Sequence, residues 1–244
     1  MKQMPSTSPG EPAEDQLSST DLVQLQNPIE DQFMRLVYER QLAMATRRGC
    51  SYVDGVPDGE LEVLPSSLVR PGRHVVVRRN ICTDVTRMIV DARIALVSAR
   101  GTDVPGSTEV TDLRVLSGYR SAREQLVIWA REYLKYYRAT QAVRRGLPGG
   151  EHGERAADHL ADYISVRLFA PGYSPHQRGG TVDLAYQQHG HWSAADTRPT
   201  AIEGWRATWF YAWLRSRAHR YGFAQNPALN EPWHCEHRLC RGQP

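Results

Sequence analysis

Apolar residues recur at helical spacing in several stretches of the chain, and these stretches predict its main helices. The clearest stretch covers residues 80–99. Within it, Val85, Met88 and Ile89 fall on one face, and Thr83 is the expected N-cap. The same criterion predicts further helices over residues 30–48, 121–138, 155–167 and 202–221.

Shorter stretches alternate between apolar and polar residues or are extended in character, and they predict strands. These stretches are residues 61–64, 110–116 and 181–185. Glycine and proline in residues 49–73 and 146–153 predict loops. Because helices and short strands are mixed without strict alternation, the pattern favours an α+β fold over a parallel sheet.

The beginning of the chain differs in composition from the rest. Residues 1–28 are rich in Ser, Pro, Glu, Gln and Asp, with few large apolar side chains, so they predict a flexible N-terminal tail. Residues 29–72 predict a helical extension that packs on the main domain, which is expected to span residues 73–244. Hydrophobic residues make up 41% of the sequence, enough for a buried core.

Charge and cysteine content narrow the partners and the setting. The net charge of +3 is modest and gives no single-sign field strong enough to indicate nucleic-acid binding, so no nucleic-acid partner is expected. No apolar run approaches the roughly 20 residues that span a bilayer, and the N-terminus lacks the apolar segment of a secretory signal. The 4 cysteines predict no disulfide framework, although Cys235 and Cys240 are close enough to pair in an oxidising compartment.

His176 and Asp183 form the first candidate pairing. They lie in SPHQRGGTVDLAY, and the two glycines between them permit a tight reversal of the chain. Such a turn lets both side chains point at one place. Taken alone, the pairing is also explained by an ordinary hydrogen bond between a histidine and an aspartate.

The stretch NEPWHCEH adds Glu231 and His234. Catalytic zinc usually has three nitrogen or oxygen ligands from the protein and keeps its fourth position for water. His176, Asp183 and His234 would supply such a set. Glu231 would then be left free to act as general base on the water.

Arg120 lies in SGYRSAREQ, where a predicted strand runs into a predicted helix. Its planar guanidinium can hold a substrate carboxylate or the oxyanion that develops during reaction. Taken alone, this position also suits an arginine that pairs with a structural acid near the start of the helix.

Other metal arrangements are weaker alternatives. His189 and His191 form a His-x-His pair in a stretch expected to be an exposed loop. Cys235 could also ligate a metal, but the set already named is complete with an open position.

Taken together and in this order, the motifs resemble the M15 family of zinc peptidases, which includes D-alanyl-D-alanine carboxypeptidases and dipeptidases. The family pattern is SGYRS with a Gln four residues on, then S-x-H-x-x-G-x-x-x-D, then Tyr-Gly-Phe, and finally E-x-W-H. The matching residues are 117–121 with Gln125; Ser174, His176, Gly179 and Asp183; Tyr221, Gly222 and Phe223; and Glu231, Trp233 and His234.

The resemblance implies a role for each matched residue. One catalytic Zn²⁺ would be bound by His176, Asp183 and His234, with Glu231 as general base and Arg120 in contact with the substrate. The substrate-binding residues would be Ser117, Tyr119, Gln125, Ser174 and Trp233. The fold would be α+β, with a small antiparallel sheet that carries the zinc ligands and helices packed around it, as in the Hedgehog and DD-peptidase structures. Residues 73–244 would form the catalytic domain.

The function implied by the resemblance is hydrolysis of peptidoglycan stem peptides, as a D,D-carboxypeptidase on terminal D-Ala-D-Ala. One alternative is an endopeptidase that cuts L-Ala-D-Glu or a cross-link, as a lysis enzyme or a secreted effector. Another is a catalytically silent zinc-containing binding module, which the retained Glu231 argues against. The site of action would be the cell wall, in the periplasm or outside the cell, with the export route and any delivery or immunity partner left open.

The chain also departs from the family pattern in two places. Cys235 follows the last ligand where members often carry an aromatic residue. The segment between Gln125 and Ser174 is long and could wall or cover the cleft, so the choice of substrate does not carry over from the resemblance.

Overall fold

The computed structural model describes residues 31–48, 50–226 and 229–240, so the tail predicted for residues 1–28 lies outside the described residues. The helices are α1 (Gln32–Arg47), α2 (Arg79–Gly101), α3 (Ala122–Arg145), α4 (Glu154–Ser165), α5 (Pro199–Arg206) and α6 (Trp209–Arg217). The strands are β1 (Leu61–Val63), β2 (Val76–Arg78), β3 (Val110–Ser117), β4 (Thr181–Gln188), β5 (His191–Trp192), β6 (Phe223–Ala224) and β7 (His234–His237). The predicted α+β class is confirmed.

The strands form two antiparallel sheets. The larger one has the order β3-β4-β7-β6, with β5 paired to the far end of β4. The smaller sheet pairs β1 with β2. Strand β4 therefore lies inside the larger sheet, with β3 on one side and β7 and β5 on the other. This is the small antiparallel sheet that the family resemblance predicted.

One face of the larger sheet packs against α2 and the C-terminal helices. Val182 and Leu184 of β4 point into this core, where Met88 and Ile89 of α2 are fully buried. Burying an aliphatic side chain of this size stabilises the fold by about 1.5–3 kcal/mol. Because successive strand residues point to opposite faces, Asp183 between them is directed to the other side of the sheet.

A second core is formed by α1, α3 and α4. Helix α3 continues to Arg145, seven residues beyond the predicted end at 138. The extra turns are anchored by Arg144, which is fully buried and donates to the carbonyls of Tyr137 and Glu151 at 2.7 and 2.8 Å. A buried arginine breaks the apolar pattern, which is why the sequence did not predict this part of the helix.

The predicted N-cap of helix α2 is wrong. The helix begins at Arg79, because β2 runs directly into it, so Thr83 lies inside the helix and is not its N-cap. Inside a helix the backbone N–H groups are already bonded, and the hydroxyl of Thr83 has no capping role.

The region predicted as one helix over residues 202–221 is divided. Helix α5 ends at Arg206, and Thr208 begins α6 by accepting a hydrogen bond from the N–H of Tyr211 at 3.2 Å. The 3₁₀ helix Ala218–Tyr221 completes the region. The apolar spacing is helical on both sides of the break, so periodicity alone could not reveal it.

The predicted domain boundary between residues 72 and 73 stays a prediction. Strands β1 and β2 lie on its two sides and pair with each other, Leu61 opposite Arg78 and Val63 opposite Val76. Across the described ranges, no helix has the length and apolarity needed to cross a membrane.

Neither Cys235 nor Cys240 forms a disulfide in this structure. The side chain of Cys235 belongs to the core beneath the larger sheet. Cys240 lies against Gly180, so closely that a Cβ on Gly180 would sit 2.0 Å from the Cβ of Cys240. The bridge that the spacing allowed is therefore not formed.

Candidate metal centre

Two neighbouring strands place the first pair of site residues side by side. Asp183 of β4 lies directly opposite His234, the first residue of β7. Both point to the sheet face opposite Val182 and Cys235, whose side chains are in the core. Sheet register thus brings together two residues that are 51 positions apart in the sequence.

His176 reaches the same place through a turn. It belongs to the 3₁₀ helix Pro175–Arg178, which ends at Gly179 in the left-handed conformation with φ of 71°. Glycine adopts this conformation without steric cost. The chain then reverses into β4, so that His176 returns over Asp183, as the glycine-rich spacing predicted.

The three side chains form a buried cluster that can hold a metal ion. One ligand atom from each of His176, Asp183 and His234 lies within 4.8 Å of the others. Asp183 is central, with Oδ2 3.2 Å from His176 Nε2 and Oδ1 3.1 Å from His234 Nδ1. Two imidazole nitrogens and a carboxylate are a ligand set that suits a catalytic zinc ion.

Hydrogen bonds outside the cluster fix two of these side chains. The Nδ1–H of His176 donates to the carbonyl of Gly118 at 2.7 Å, and because a carbonyl only accepts, the Nε2 lone pair is left to face the cluster. Ser117 donates through Oγ to Asp183 Oδ2 at 2.6 Å. Such outer partners orient metal ligands. Both come from the end of β3, so the SGYRS motif supports the cluster as well as carrying Arg120.

The charges of the cluster differ from those of free side chains. Burial, together with the nearby Arg120, lowers the pKa of His176 to about 4. Burial raises the pKa of Asp183, but the two histidines outweigh it and bring that pKa well below its usual range. Burial also lowers the pKa of His234, yet hydrogen bonds to Asp183 and Glu236 raise it to about 9. In the metal-free site at neutral pH, His234 is therefore the charged imidazolium, whereas His176 is neutral and Asp183 is ionised.

Glu231 lies beside the cluster without belonging to it. Its Oε2 is 3.7 Å from His234 Nδ1, and its carbonyl accepts from the N–H of His234 at 3.0 Å, which closes the turn before β7. Burial and the neighbouring Asp183 raise the pKa of Glu231 to about 7. A carboxyl group with a pKa near neutrality can both accept and return a proton.

Arg120 follows β3 and comes close to the cluster. Its backbone N–H donates to the carbonyl of His176 at 3.4 Å, and its Nε is buried with no hydrogen-bond partner among the described residues. Burial lowers the pKa of Arg120, against the opposing effect of Asp183 and Glu231. A buried donor without a partner is costly, and here it lies next to the candidate ligands.

The other residues predicted to bind substrate have varied surroundings. Gln125 is buried and donates through Nε2 to the carbonyl of Phe169 at 3.0 Å, and the hydroxyl of Tyr119 accepts from the N–H of Val56 at 3.3 Å. Ser174 is also buried. Ser117 bonds Asp183, as described above. These substrate contacts stay predictions.

Trp233 differs from that group, because its side chain lies in the core. Its ring is buried against Trp205, with the ring centroids 6.3 Å apart. The backbone of Trp233 accepts from the N–H of Leu184 in β4 at 3.1 Å. The residue thus anchors the turn between Glu231 and His234, and this favours a structural role over the predicted contact with substrate.

Sequence reasoning did not identify Glu236. Its Oε1 lies 3.3 Å from His234 Nε2, on the side of the ring away from Asp183. The signal was present in the sequence, because residues two apart in a strand share a face. The motif NEPWHCEH indicates a metal site but does not show that a strand begins at His234, so it does not by itself pair these two side chains.

The structure does not bring the alternative metal ligands, the His189 and His191 pair and Cys235, into a second cluster among the described residues. Among the residues that the structure describes, the group that can hold a metal is His176, Asp183 and His234. His189 lies in the turn between β4 and β5 with φ of 49°, and His191 is exposed on β5.

Comparison with known proteins gives one family match. The profile of VanY, described as D-alanyl-D-alanine carboxypeptidase, matches residues 105–238. None of the curated proteins matches the chain.

Solved structures also resemble the chain. A vancomycin resistance D,D-pentapeptidase, VanY of a VanB-type resistance cassette in complex with Zn(II), is 20% identical over 72% of this chain and 83% of its own, with a TM-score of 0.41. VanYB in complex with D-alanine-D-alanine is 21% identical over 76% and 84%, with a TM-score of 0.44. The LD-carboxypeptidase LdcB is 14% identical over 78% and 74%, also with a TM-score of 0.44.

The matched residues 105–238 make up more than half of the 244 residues. They include Arg120, the buried cluster and Glu231, so the profile and the geometry identify the same part of the chain. The chain belongs to the VanY family of D-alanyl-D-alanine carboxypeptidases.

Proposed function

We propose that this protein is a zinc peptidase that removes the terminal D-alanine from peptidoglycan stem peptides ending in D-Ala-D-Ala. The observation that carries the proposal is the position of Glu231. It lies beside the buried cluster of three candidate ligands and does not belong to that cluster. A module that only binds has no need of a carboxylate with a pKa near neutrality in that place.

His176, Asp183 and His234 would hold one zinc ion. The donor set fits, because it has two nitrogen ligands and one oxygen ligand in a closed cluster, and Gly118 and Ser117 orient two of them. Zinc in such a site acidifies water and polarises a carbonyl group. The cluster would supply three ligands, and Glu231 would stay outside the set.

Glu231 would accept the proton of the attacking water and then pass it to the amine that leaves. The balance is simple: water adds across the peptide bond, the C–N bond breaks, and the proton held by Glu231 ends on the departing amino group. Its pKa of about 7 suits both transfers, since the carboxyl is neither too strong an acid nor too weak.

Arg120 would bind the substrate. A substrate ending in D-Ala-D-Ala brings a terminal carboxylate and a scissile carbonyl one residue apart, and a planar guanidinium can bond either group. The buried Nε without a partner among the described residues supports this role. Gln125, Ser174, Tyr119 and Ser117 would shape the pocket around it.

The setting follows from the substrate. Peptidoglycan lies in the periplasm or outside the cell, so we propose that the protein acts on the cell wall. A bacterial cell-wall peptide is thus the expected partner.

Product analysis tests the proposal. Purified, zinc-loaded protein is incubated with a synthetic stem pentapeptide and with digested peptidoglycan, and the products are separated by mass. We expect release of free D-alanine and a tetrapeptide. Internal fragments without free D-alanine would make the protein an endopeptidase, and intact substrates with zinc bound would leave it a binding module.

A further inference from the structure

The remaining feature of the site is the carboxylate on the outer side of His234. We propose that Glu236 is a positioning residue, which accepts a hydrogen bond from His234 Nε2–H and thereby directs Nδ1 to the metal. This inference rests on the proposed zinc site and adds the means by which its third ligand is oriented.

Strand geometry puts the two side chains together. His234 and Glu236 are two residues apart on β7 and share a face of the sheet. Glu236 Oε1 lies 3.3 Å from His234 Nε2, and both side chains are largely buried, with 12% and 2% exposed. The pair is formed within one strand and does not depend on a loop.

Glu236 is itself held in place. Asn226 donates through Nδ2 to the same Oε1 at 3.0 Å, from the segment that follows β6. The carboxylate that faces the imidazole is therefore also held by a side chain from the segment after β6. An acceptor that is fixed in this way restricts the ring more than a mobile side chain would.

Each of the three candidate ligands forms a hydrogen bond with a group outside the cluster, and the three groups are chemically different. His176 uses the carbonyl of Gly118 and Asp183 uses the hydroxyl of Ser117, both from the end of β3. His234 uses a carboxylate from its own strand. A carboxylate only accepts, so Glu236 keeps a proton on Nε2 of His234, and it is the proton on Nδ1 that leaves when a metal binds there.

The first test measures zinc affinity. In Glu236→Ala the ring loses this acceptor, and we expect the zinc dissociation constant, measured by competition with a chromophoric chelator, to rise about 10–100-fold. Glu236→Gln keeps the shape and an amide oxygen that can still accept, so a smaller rise is expected. This second variant decides the question if the alanine variant does not fold.

A matched control comes from another glutamate of the same sheet region. Glu109 precedes β3, is exposed, and accepts from Gln188 at 2.6 Å. Glu109→Ala removes a carboxylate and a hydrogen bond without touching the cluster. We expect its zinc affinity to equal that of the wild type.

The second test separates positioning from general loosening of the site. Long-range proton–nitrogen NMR of the zinc-loaded protein should show His234 protonated at Nε2 and His176 protonated at Nδ1. In Glu236→Gln the Nε2–H proton of His234 should shift upfield, because a neutral amide is a weaker acceptor, while the His176 signal stays in place. Movement of both histidine signals together would contradict the inference.

Failure of this inference can be told apart from failure of the proposed function. Unchanged zinc affinity and unchanged His234 signals in both Glu236 variants overturn the positioning role, while wild-type zinc binding and peptidase activity leave the proposed function intact. Wild-type protein that binds no zinc overturns both, and the wild type alone reveals that.

Discussion

Asp183 and His234 lie directly opposite each other on adjacent antiparallel strands, with 3.1 Å between Asp183 Oδ1 and His234 Nδ1. Because the contact is made by sheet register, a shift of one residue would turn one of the pair into the core. The sheet therefore fixes the distance between two candidate ligands before any metal binds. The same contact holds a proton on His234, and the first prediction follows from it.

Zinc affinity should depend on pH through His234. Its pKa of about 9 in the metal-free protein means that a proton must leave before Nδ1 can bind metal at neutral pH. His176, with a pKa of about 4, and Asp183 are already deprotonated there. Between about pH 6 and 8 the zinc dissociation constant should fall roughly tenfold for each unit that the pH rises. Chelator competition at several pH values measures this.

Proton release provides an independent check of that prediction. Adding zinc to the protein in weak buffer at neutral pH should release protons, since His234 is protonated beforehand. A dissociation constant that is flat over the same pH range, with no proton release, would contradict the assignment of the proton to His234.

Glu231 should be needed for turnover and dispensable for metal binding. Glu231→Gln removes the proton acceptor while keeping the size of the side chain, and we expect kcat to fall about 10²–10⁴-fold. Zinc content, measured by elemental analysis, should remain that of the wild type, because Glu231 is not in the cluster. Loss of zinc in this variant would show that Glu231 is a ligand.

Much of the fold could be predicted from local pattern, because each element has its own periodicity. Helix α2 and strand β3 were predicted within a few residues, and Ser121 does begin α3, with its hydroxyl accepting from the N–H of Glu124 at 3.1 Å. The break at Thr208 was not predicted. The break is made by the N-cap of α6 at Thr208, and the spacing of apolar residues is helical on both sides of it.

The site was predicted only as a set of residues. The order of the motifs along the chain, which is that of the M15 family, indicates which side chains meet. The glycines before β4 explain how the chain can reverse so that His176 reaches Asp183. The choice of ring nitrogen could not be predicted, because it depends on contacts with Gly118 and Glu236. Neither partner has a sequence signal of its own, since one is a backbone carbonyl and the other needs the strand to be known first.

Arg120 should contribute to binding or to stabilising the reacting carbonyl. Arg120→Ala removes a buried guanidinium, and we expect kcat/KM for a pentapeptide substrate to fall about 10²–10³-fold. Arg120→Lys keeps the charge without the planar fork and should restore only part of this loss. A rise in KM with little change in kcat would indicate that Arg120 binds the substrate carboxylate. A fall in kcat would indicate that it stabilises the oxyanion.

Arg123, at the start of the helix that follows Arg120, provides the control. Arg123 is exposed in the first turn of α3, so Arg123→Ala changes the net charge equally near the site. Its kcat/KM should match the wild type. Equal losses in both variants would mean that overall charge, and not the position of Arg120, matters for the substrate.

The second core makes a prediction about stability, because adjacent arginines there have opposite environments. Arg144 is fully buried, its guanidinium lies 4.0 Å from the centre of the Tyr137 ring, and it donates to two backbone carbonyls. Arg144→Met leaves those carbonyls without their donor. We expect the free energy of unfolding to fall by about 2–4 kcal/mol in urea titration.

Arg145 is the matched control, since it bonds the carboxylate of the same Glu151 at 2.8 Å from an exposed position. Arg145→Met should cost at most about 1 kcal/mol, as surface ion pairs contribute little. Because the cluster of His176, Asp183 and His234 is built on the larger sheet and not on this core, both variants should bind zinc like the wild type at temperatures where they remain folded. Equal destabilisation by the two substitutions would show that the ion pair with Glu151, and not the buried hydrogen bonds of Arg144, holds the end of α3.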